Sequence, residues 1–185
     1  MQEIITYFET AGKTNTDGTL ILAKNRALKR KIQKVVIATS RGFTPPKALA
    51  VFHDSNIQLV IVADNKKLSN TLISQFKRVG HQWIFGGAAT SHDYYPIIAR
   101  NTLKRLCEGL KVCVEIVLLA ADAGLLSPRE LVVSIAGTGY LGFQQKGGGA
   151  DTAIVMEAID SQSFFDVSSD KASRRKIREI ICKPL

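Results

Sequence analysis

Short unbroken apolar runs alternate along the chain with longer stretches whose apolar positions recur at helical spacing. Val35–Thr39 is a continuous apolar run, the pattern of a strand covered on both faces. Gln58–Ala63, Glu130–Ala136 and Thr152–Ala158 also read as strands, and Ile4–Phe8, Trp83–Phe85 and Ile177–Cys182 as shorter ones. Leu20, Ala23, Ala27 and Leu28 set a helical period over Thr19–Lys31, with Asn15 or Thr16 as N-cap and Asp17 in the first turn. A second helix opens on Pro45 and Pro46 and ends near Asp54. Thr44 is its expected N-cap, because a residue before proline is pushed to an extended conformation and proline suits the first helical turn. Further helices are expected over Leu68–Val79, over Tyr95–Glu108 up to a break at Gly109, and over Lys111–Ala123 with Gly124 as C-cap. The alternation predicts one α/β domain over residues 1–185, a three-layer α/β/α sandwich with a mostly parallel sheet.

Composition narrows this picture. With 185 residues, 45% of them hydrophobic and 22% charged, the chain can bury a sizeable core. Met1–Phe8 lacks a basic segment leading into an apolar core, and the longest apolar run, Val112–Leu126, is interrupted by Glu115 and Asp122. We therefore expect a cytoplasmic protein without a membrane segment. Cys107, Cys113 and Cys182 have neither zinc-ligand nor CxxC spacing, which suits reduced thiols. His53, His81 and His92 form no metal-ligand pair, so no metal site is expected. The formal net charge of +9 is concentrated in two clusters, one from Lys24 to Lys34 and one from Lys171 to Lys183. Such clusters are either a nucleic-acid surface or the solvated faces of amphipathic elements.

Candidate chemistry gathers in two loops. Thr39-Ser40-Arg41-Gly42-Phe43-Thr44 follows a strand and opens a helix, which is where open α/β sheets bind ligands. Free amides and the helix dipole favour an anion at such a turn, although the two prolines withdraw two of those amides. The turn reads equally as an ordinary strand-to-helix connection. Gly137–Asp151 is a long glycine-rich connection between two strands. Its Gly147-Gly148-Gly149 run permits either close approach to a ligand or a hairpin-like turn, and Asp151 either accepts a ligand donor or fixes its own turn. Gly12-Lys13-Thr14 lacks the upstream glycine of a P-loop, since that position is Tyr7. Lys13 remains able to reach an anion. Glu115 and Asp122 lie seven positions apart in an apolar helix, so they either satisfy nearby backbone groups or face a cleft.

Beyond these residues, Gly109–Ile116, Ala120–Gly124, Gly149–Ala153, Phe164–Asp166 and Glu179–Pro184, with Phe8-Glu9, Gly12-Lys13, Asn15-Thr16 and Thr19-Leu20, carry a resemblance. The chain resembles a small stand-alone family, many of its members archaeal, that is similar to the C-terminal α/β domain of pyruvate kinase. That domain holds the regulatory sugar-phosphate site. The resemblance implies a flavin mononucleotide-like ligand at the carboxyl end of the sheet. It places the phosphate near Ser40, Gly42 and Thr44, and the remainder near Asn15, Thr16, Glu115, Gly137, Thr138, Gly149, Ala150, Asp151 and Thr152. The chain departs from the family pattern in a shorter Asp64–Asn70 segment, a longer Gly139–Gly148 loop and Pro45 after the loop threonine.

The expected function is binding of a phosphorylated small molecule or flavin nucleotide, without pyruvate kinase activity, whose (β/α)₈ barrel alone needs about 250 residues. A flavin-dependent oxidoreductase in the same cleft, with Glu115, Asp122 and Cys113 as candidates, is a second reading. Nucleic-acid binding ranks last, because no basic motif is interleaved with aromatics. Catalytic residues and a homo-oligomeric state stay open.

Overall fold

The computed structural model describes residues 2–64, 68–86, 96–139, 148–166 and 176–185. Its strands are β1 (Thr6–Phe8), β2 (Lys34–Thr39), β3 (Gln58–Ala63), β4 (Gln82–Phe85), β5 (Leu131–Ala136), β6 (Thr152–Glu157) and β7 (Ile177–Pro184). Its helices are α1 (Thr16–Arg30), α2 (Thr44–Phe52), α3 (Asn70–Arg78), α4 (Ile97–Leu106), α5 (Glu108–Asp122) and α6 (Ser161–Phe165), with a 3₁₀ turn at Lys13–Asn15. The strands form one mixed sheet in the order β1-β7-β6-β5-β2-β3-β4. β2 runs parallel to both β3 and β5, β3 to β4, and β1 to β7, whereas β6 is antiparallel to both its neighbours.

Alternation along the strands divides the core. Val35 and Ile37 of β2 and Leu59 and Ile61 of β3 face a layer carrying Leu20, Ala23, Ala27, Ala48, Phe52 and Phe76 of α1, α2 and α3. Val36, Val60 and Val62 face the other way, against Leu110, Val114, Val117 and Leu118 of α5. Both faces of β2 and β3 are thus covered, which is why their sequences read as unbroken apolar runs. The expected α/β sandwich with a mostly parallel sheet is the observed architecture.

Several boundaries differ from the sequence reading. The break between α4 and α5 lies at Cys107, not Gly109. Cys107 is extended (φ −177°, ψ 156°), and its Sγ accepts the Leu110 N–H at 3.2 Å. Gly109 sits inside the first turn of α5, where a Cβ would lie 2.2 Å from Thr152 Oγ1. Its glycine serves close helix-to-strand packing. Thr44 is the first residue of α2 rather than its cap, because Phe43 already has helical angles (φ −76°, ψ −46°) and the turn is closed upstream by Thr39. α1 starts at Thr16, β7 extends to Pro184, and α6, capped by Asp160, was not expected from periodicity because five residues are too few to show one. The start of the expected helix at Tyr95, most of the Gly139–Gly148 loop and part of the second basic cluster fall outside the described residues.

Candidate functional site

In chain order β3 and β4 lie to one side of β2, and β5 returns to the other side, so the sheet changes direction between β2 and β5. A cavity of about 320 Å³ lies at the carboxyl ends of these strands, the position where open α/β sheets place ligands. Its walls come from distant parts of the chain. Ala38 to Arg41, Phe43 and Thr44 supply the end of β2 and the start of α2, and Val62 and Asp64 the end of β3. Lys111, Val112, Glu115 and Ile116 project from α5, and Lys13 and four glycines (Gly137, Gly139, Gly148 and Gly149) complete the lining.

The β2–α2 turn is built around Thr39, whose Oγ1 accepts the Gly42 N–H at 3.0 Å. Gly42 has φ +74°, and a Cβ there would touch Leu68 and Leu72 at 3.4 and 3.5 Å. Its amide is therefore taken, and Pro45 and Pro46 have none to offer. Donors to an anion at this end must come from Ser40, Arg41, Phe43 and Thr44. Arg41 is exposed, and Lys13 Nζ lies 4.6 Å from the Phe43 ring centroid in a cation–π contact. Two cations with no ion-pair partner among the described residues thus border a turn rich in amides and hydroxyls.

Asp151 holds the two loops in place. It is fully buried, and its Oδ2 accepts the Gly12 N–H at 2.9 Å, the Thr138 N–H at 3.1 Å and the Thr138 hydroxyl at 2.7 Å. Its Oδ1 accepts the Thr152 hydroxyl at 2.9 Å. The carboxylate therefore fixes turns, the second of the two roles open to it from sequence. Thr16 extends the clasp, since its hydroxyl donates to Lys13 O at 2.8 Å and accepts the Ala150 N–H at 3.0 Å. Gly149 fits beneath this clasp with φ +79°, where a Cβ would come within 2.6 Å of Thr16 Oγ1 and 2.8 Å of Lys13 Cα. Chain-to-chain contact already explains this glycine.

Of the sequence-selected residues, Thr39, Ser40, Thr44, Glu115, Gly137 and Gly149 line the cavity. Gly42, Asn15, Thr16, Thr138, Ala150, Asp151 and Thr152 do not line it. Asn15 donates through Nδ2 to Thr10 O at 2.6 Å, and Thr16, Ala150, Asp151 and Thr152 are buried. Glu115 and Asp122 do not act together. Glu115 is buried against the cavity and accepts a 3.0 Å contact from Lys111 Nζ, which also reaches Glu108 at 3.0 Å. Asp122 is exposed at the far end of α5 and accepts the Ser161 N–H at 2.9 Å, tethering α6. Cys113 is fully buried outside the cavity lining. Desolvation pushes its thiol well above the usual range, which removes the thiolate a nucleophile needs.

Ala38, Val62, Val112 and Ile116, together with Asp64 and Lys111, line the cavity without having been singled out as site residues from sequence. The strand-end rule that selected Thr39–Thr44 also applies to Asp64, the residue after β3. The i, i+4 spacing of Lys111 and Glu115 was a visible pairing signal. At the cavity rim, desolvation raises the Asp64 pKa, against opposing pulls from its own backbone N–H and the Arg41 charge.

The first basic cluster is largely ion-paired. Lys24 pairs with Asp54, Arg26 and Arg30 with Glu3 and Glu179, Lys29 with Glu3, and Lys34 with Glu130. In the second cluster, Lys176 and Arg178 pair with Glu157. Among the described residues no group of three or more metal-ligating side chains is present, and no helix is long and apolar enough to cross a membrane.

No family model matches the chain. Among solved structures, it is similar to a pyruvate kinase of Cryptosporidium parvum in complex with ADP, at 9% identity and a TM-score of 0.42, over 78% of this chain and 24% of that one. The chain thus spans about a quarter of that enzyme's length, and a similarity of this strength assigns neither activity nor ligand. What stands is the α/β fold itself, a mixed seven-stranded sheet between two helical layers with one strand-end cavity described.

Proposed function

We propose that this cavity binds a small phosphorylated ligand, with flavin mononucleotide as the leading candidate, and that the phosphate sits on the Ser40–Thr44 turn. One observation carries the reading: the β2–α2 turn, Lys13, Arg41 and the glycine-lined end of β5 surround a single cavity at the sheet's direction change. The volume of about 320 Å³ falls at the lower end of the ~300–1,000 Å³ range of ligand pockets, so it suits a ligand of mononucleotide size or smaller. Phe43, Val62, Val112 and Ile116 add apolar wall beside the polar turn. Flavin mononucleotide leads because the family resemblance of the motifs implies it.

The test is the visible absorption spectrum of the purified protein and mass spectrometry of released small molecules, followed by thermal shift with flavin mononucleotide and with sugar phosphates. A ligand at 100 times its dissociation constant stabilises by about 2.7 kcal/mol. At about 2–4 °C per kcal/mol for a chain of this length, the midpoint rises by about 5–11 °C. A colourless protein with no shift for any phosphorylated ligand refutes the reading.

A further inference from the structure

The cavity holds a carboxylate, Asp64, that a phosphate site does not use. Asp64 follows Ala63, the last residue of β3, which pairs with Thr39 of β2, and its N–H donates to Thr39 O at 3.2 Å. Asp64 is therefore level with Ser40, one strand away, and neighbouring strands lie about 4.8 Å apart. It lines the same cavity. Among the described residues no side chain donates a hydrogen bond to its carboxylate, and Arg41 acts on it through charge alone. The residue as a whole stays exposed, yet its carboxyl end is desolvated enough to raise its pKa. A carboxylate in that position repels an anion on the Ser40–Thr44 turn, unless the ligand itself brings a donor to it.

We propose that Asp64 selects ligands bearing a hydroxyl on the carbon next to the phosphoester carbon, the arrangement found in polyol and sugar phosphates. Such a hydroxyl stands from the phosphorus by about one interstrand step, ~4.8 Å. With the phosphate above Ser40, it reaches the end of β3. Its O–H donates to the Asp64 carboxylate, and the hydrogen bond offsets the repulsion that inorganic phosphate still meets. The inference rests on the phosphate reading and adds the chemistry of the atoms beside the phosphate.

The experiment is calorimetric titration of the wild-type chain, Asp64→Asn and Asp64→Ala with inorganic phosphate, ribitol 5-phosphate and 4-deoxyribitol 5-phosphate. The wild type is expected to prefer ribitol 5-phosphate to its deoxy analogue by about 10-fold or more, the scale of a hydrogen bond to a charged group. In both variants that preference falls below about 3-fold, while inorganic phosphate binds as well or more tightly. Equal wild-type affinity for the two polyol phosphates overturns the inference, as does a preference that survives in both variants. A preference that needs magnesium and disappears with chelator also overturns it, because Asp64 then holds a cation. If phosphate binds without discrimination, Asp64 alone is misassigned. If none of the three probes binds, the phosphate reading fails and the Asp64 role fails with it.

Discussion

Asp151→Ala removes the acceptor on which the walls of the cavity depend. Four donors converge on this fully buried carboxylate: the Gly12 and Thr138 N–H groups and the Thr138 and Thr152 hydroxyls, at 2.7 to 3.1 Å. The hydroxyls can rotate toward other acceptors, but the two backbone N–H groups cannot. Each orphaned donor costs about 1–3 kcal/mol, so the pair costs about 2–6 kcal/mol. That is a large part of the ~5–15 kcal/mol that holds a typical domain together. For a chain of this length the loss appears as a fall of about 4–24 °C in melting temperature, read by circular dichroism, and as a lower urea midpoint. Asp151→Asn keeps one acceptor oxygen for the Gly12 and Thr138 donors but loses the charge, so its loss is smaller. Hydrogen exchange should accelerate first at Gly12 and Thr138. An Asp151→Ala loss below 1 kcal/mol, or a loss equal to that of Asp151→Asn, refutes the account of Asp151 as the tie between the loops.

Gly149→Ala combines φ +79° with contacts of 2.6 Å to Thr16 Oγ1 and 2.8 Å to Lys13 Cα. It should destabilise by about 2 kcal/mol or more, since left-handed backbone alone costs an L-residue about 1–2 kcal/mol, and an unchanged urea midpoint contradicts this. For Glu157, burial raises the pKa, but hydrogen bonds from Arg178 and Lys176 outweigh it and hold the carboxyl below its ordinary 4.5. The folded value lies below the unfolded one, so this stabilisation is full above pH 4.5 and is lost as pH falls through the folded value. The stability gap between wild type and Glu157→Gln should therefore narrow on acidification from pH 7 to 3, and a constant gap argues against the pairing. Burial raises the Cys113 thiol well above its usual range and pushes Cys182 to about 12, whereas Cys107 is half-buried. Ellman's reagent at pH 8 should find one accessible thiol in the folded chain and three after unfolding, and three equal rates in the folded chain rule this out.

The strands were legible because burial on both faces writes itself locally: Val35 to Ile37 and Leu59 to Ile61 are apolar in every position, whichever layer each meets. The place of the cavity was legible for a related reason. A strand that ends in Thr39-Ser40-Arg41-Gly42 and hands over to a helix on Pro45 exposes amides and hydroxyls at the carboxyl end of the sheet, and strand-end position follows from the chain alone. The starts of the five longer helices were recoverable to within a few residues, although Gly109 reads as a helix break and is instead packed inside α5 against Thr152. The rest depended on residues far apart in sequence. Asp151 fixes turns because Gly12 and Thr138 come to it, and Gly149 must be glycine because Lys13 and Thr16 occupy its Cβ position. Glu115 faces the cavity while Asp122, on the same helix, tethers α6. The basic stripe on α1 turns out to be paired with Glu3, Asp54 and Glu179, and Lys34 at the start of β2 with Glu130. Local hydrophobicity and turn chemistry thus determine the elements and where their ends point. Only the folded chain decides which charges are neutralised, which carboxylate is spent on structure and which, Asp64, lines the cavity without an ion-pair partner among the described residues, because those outcomes are set by long-range distances that no short window of sequence contains.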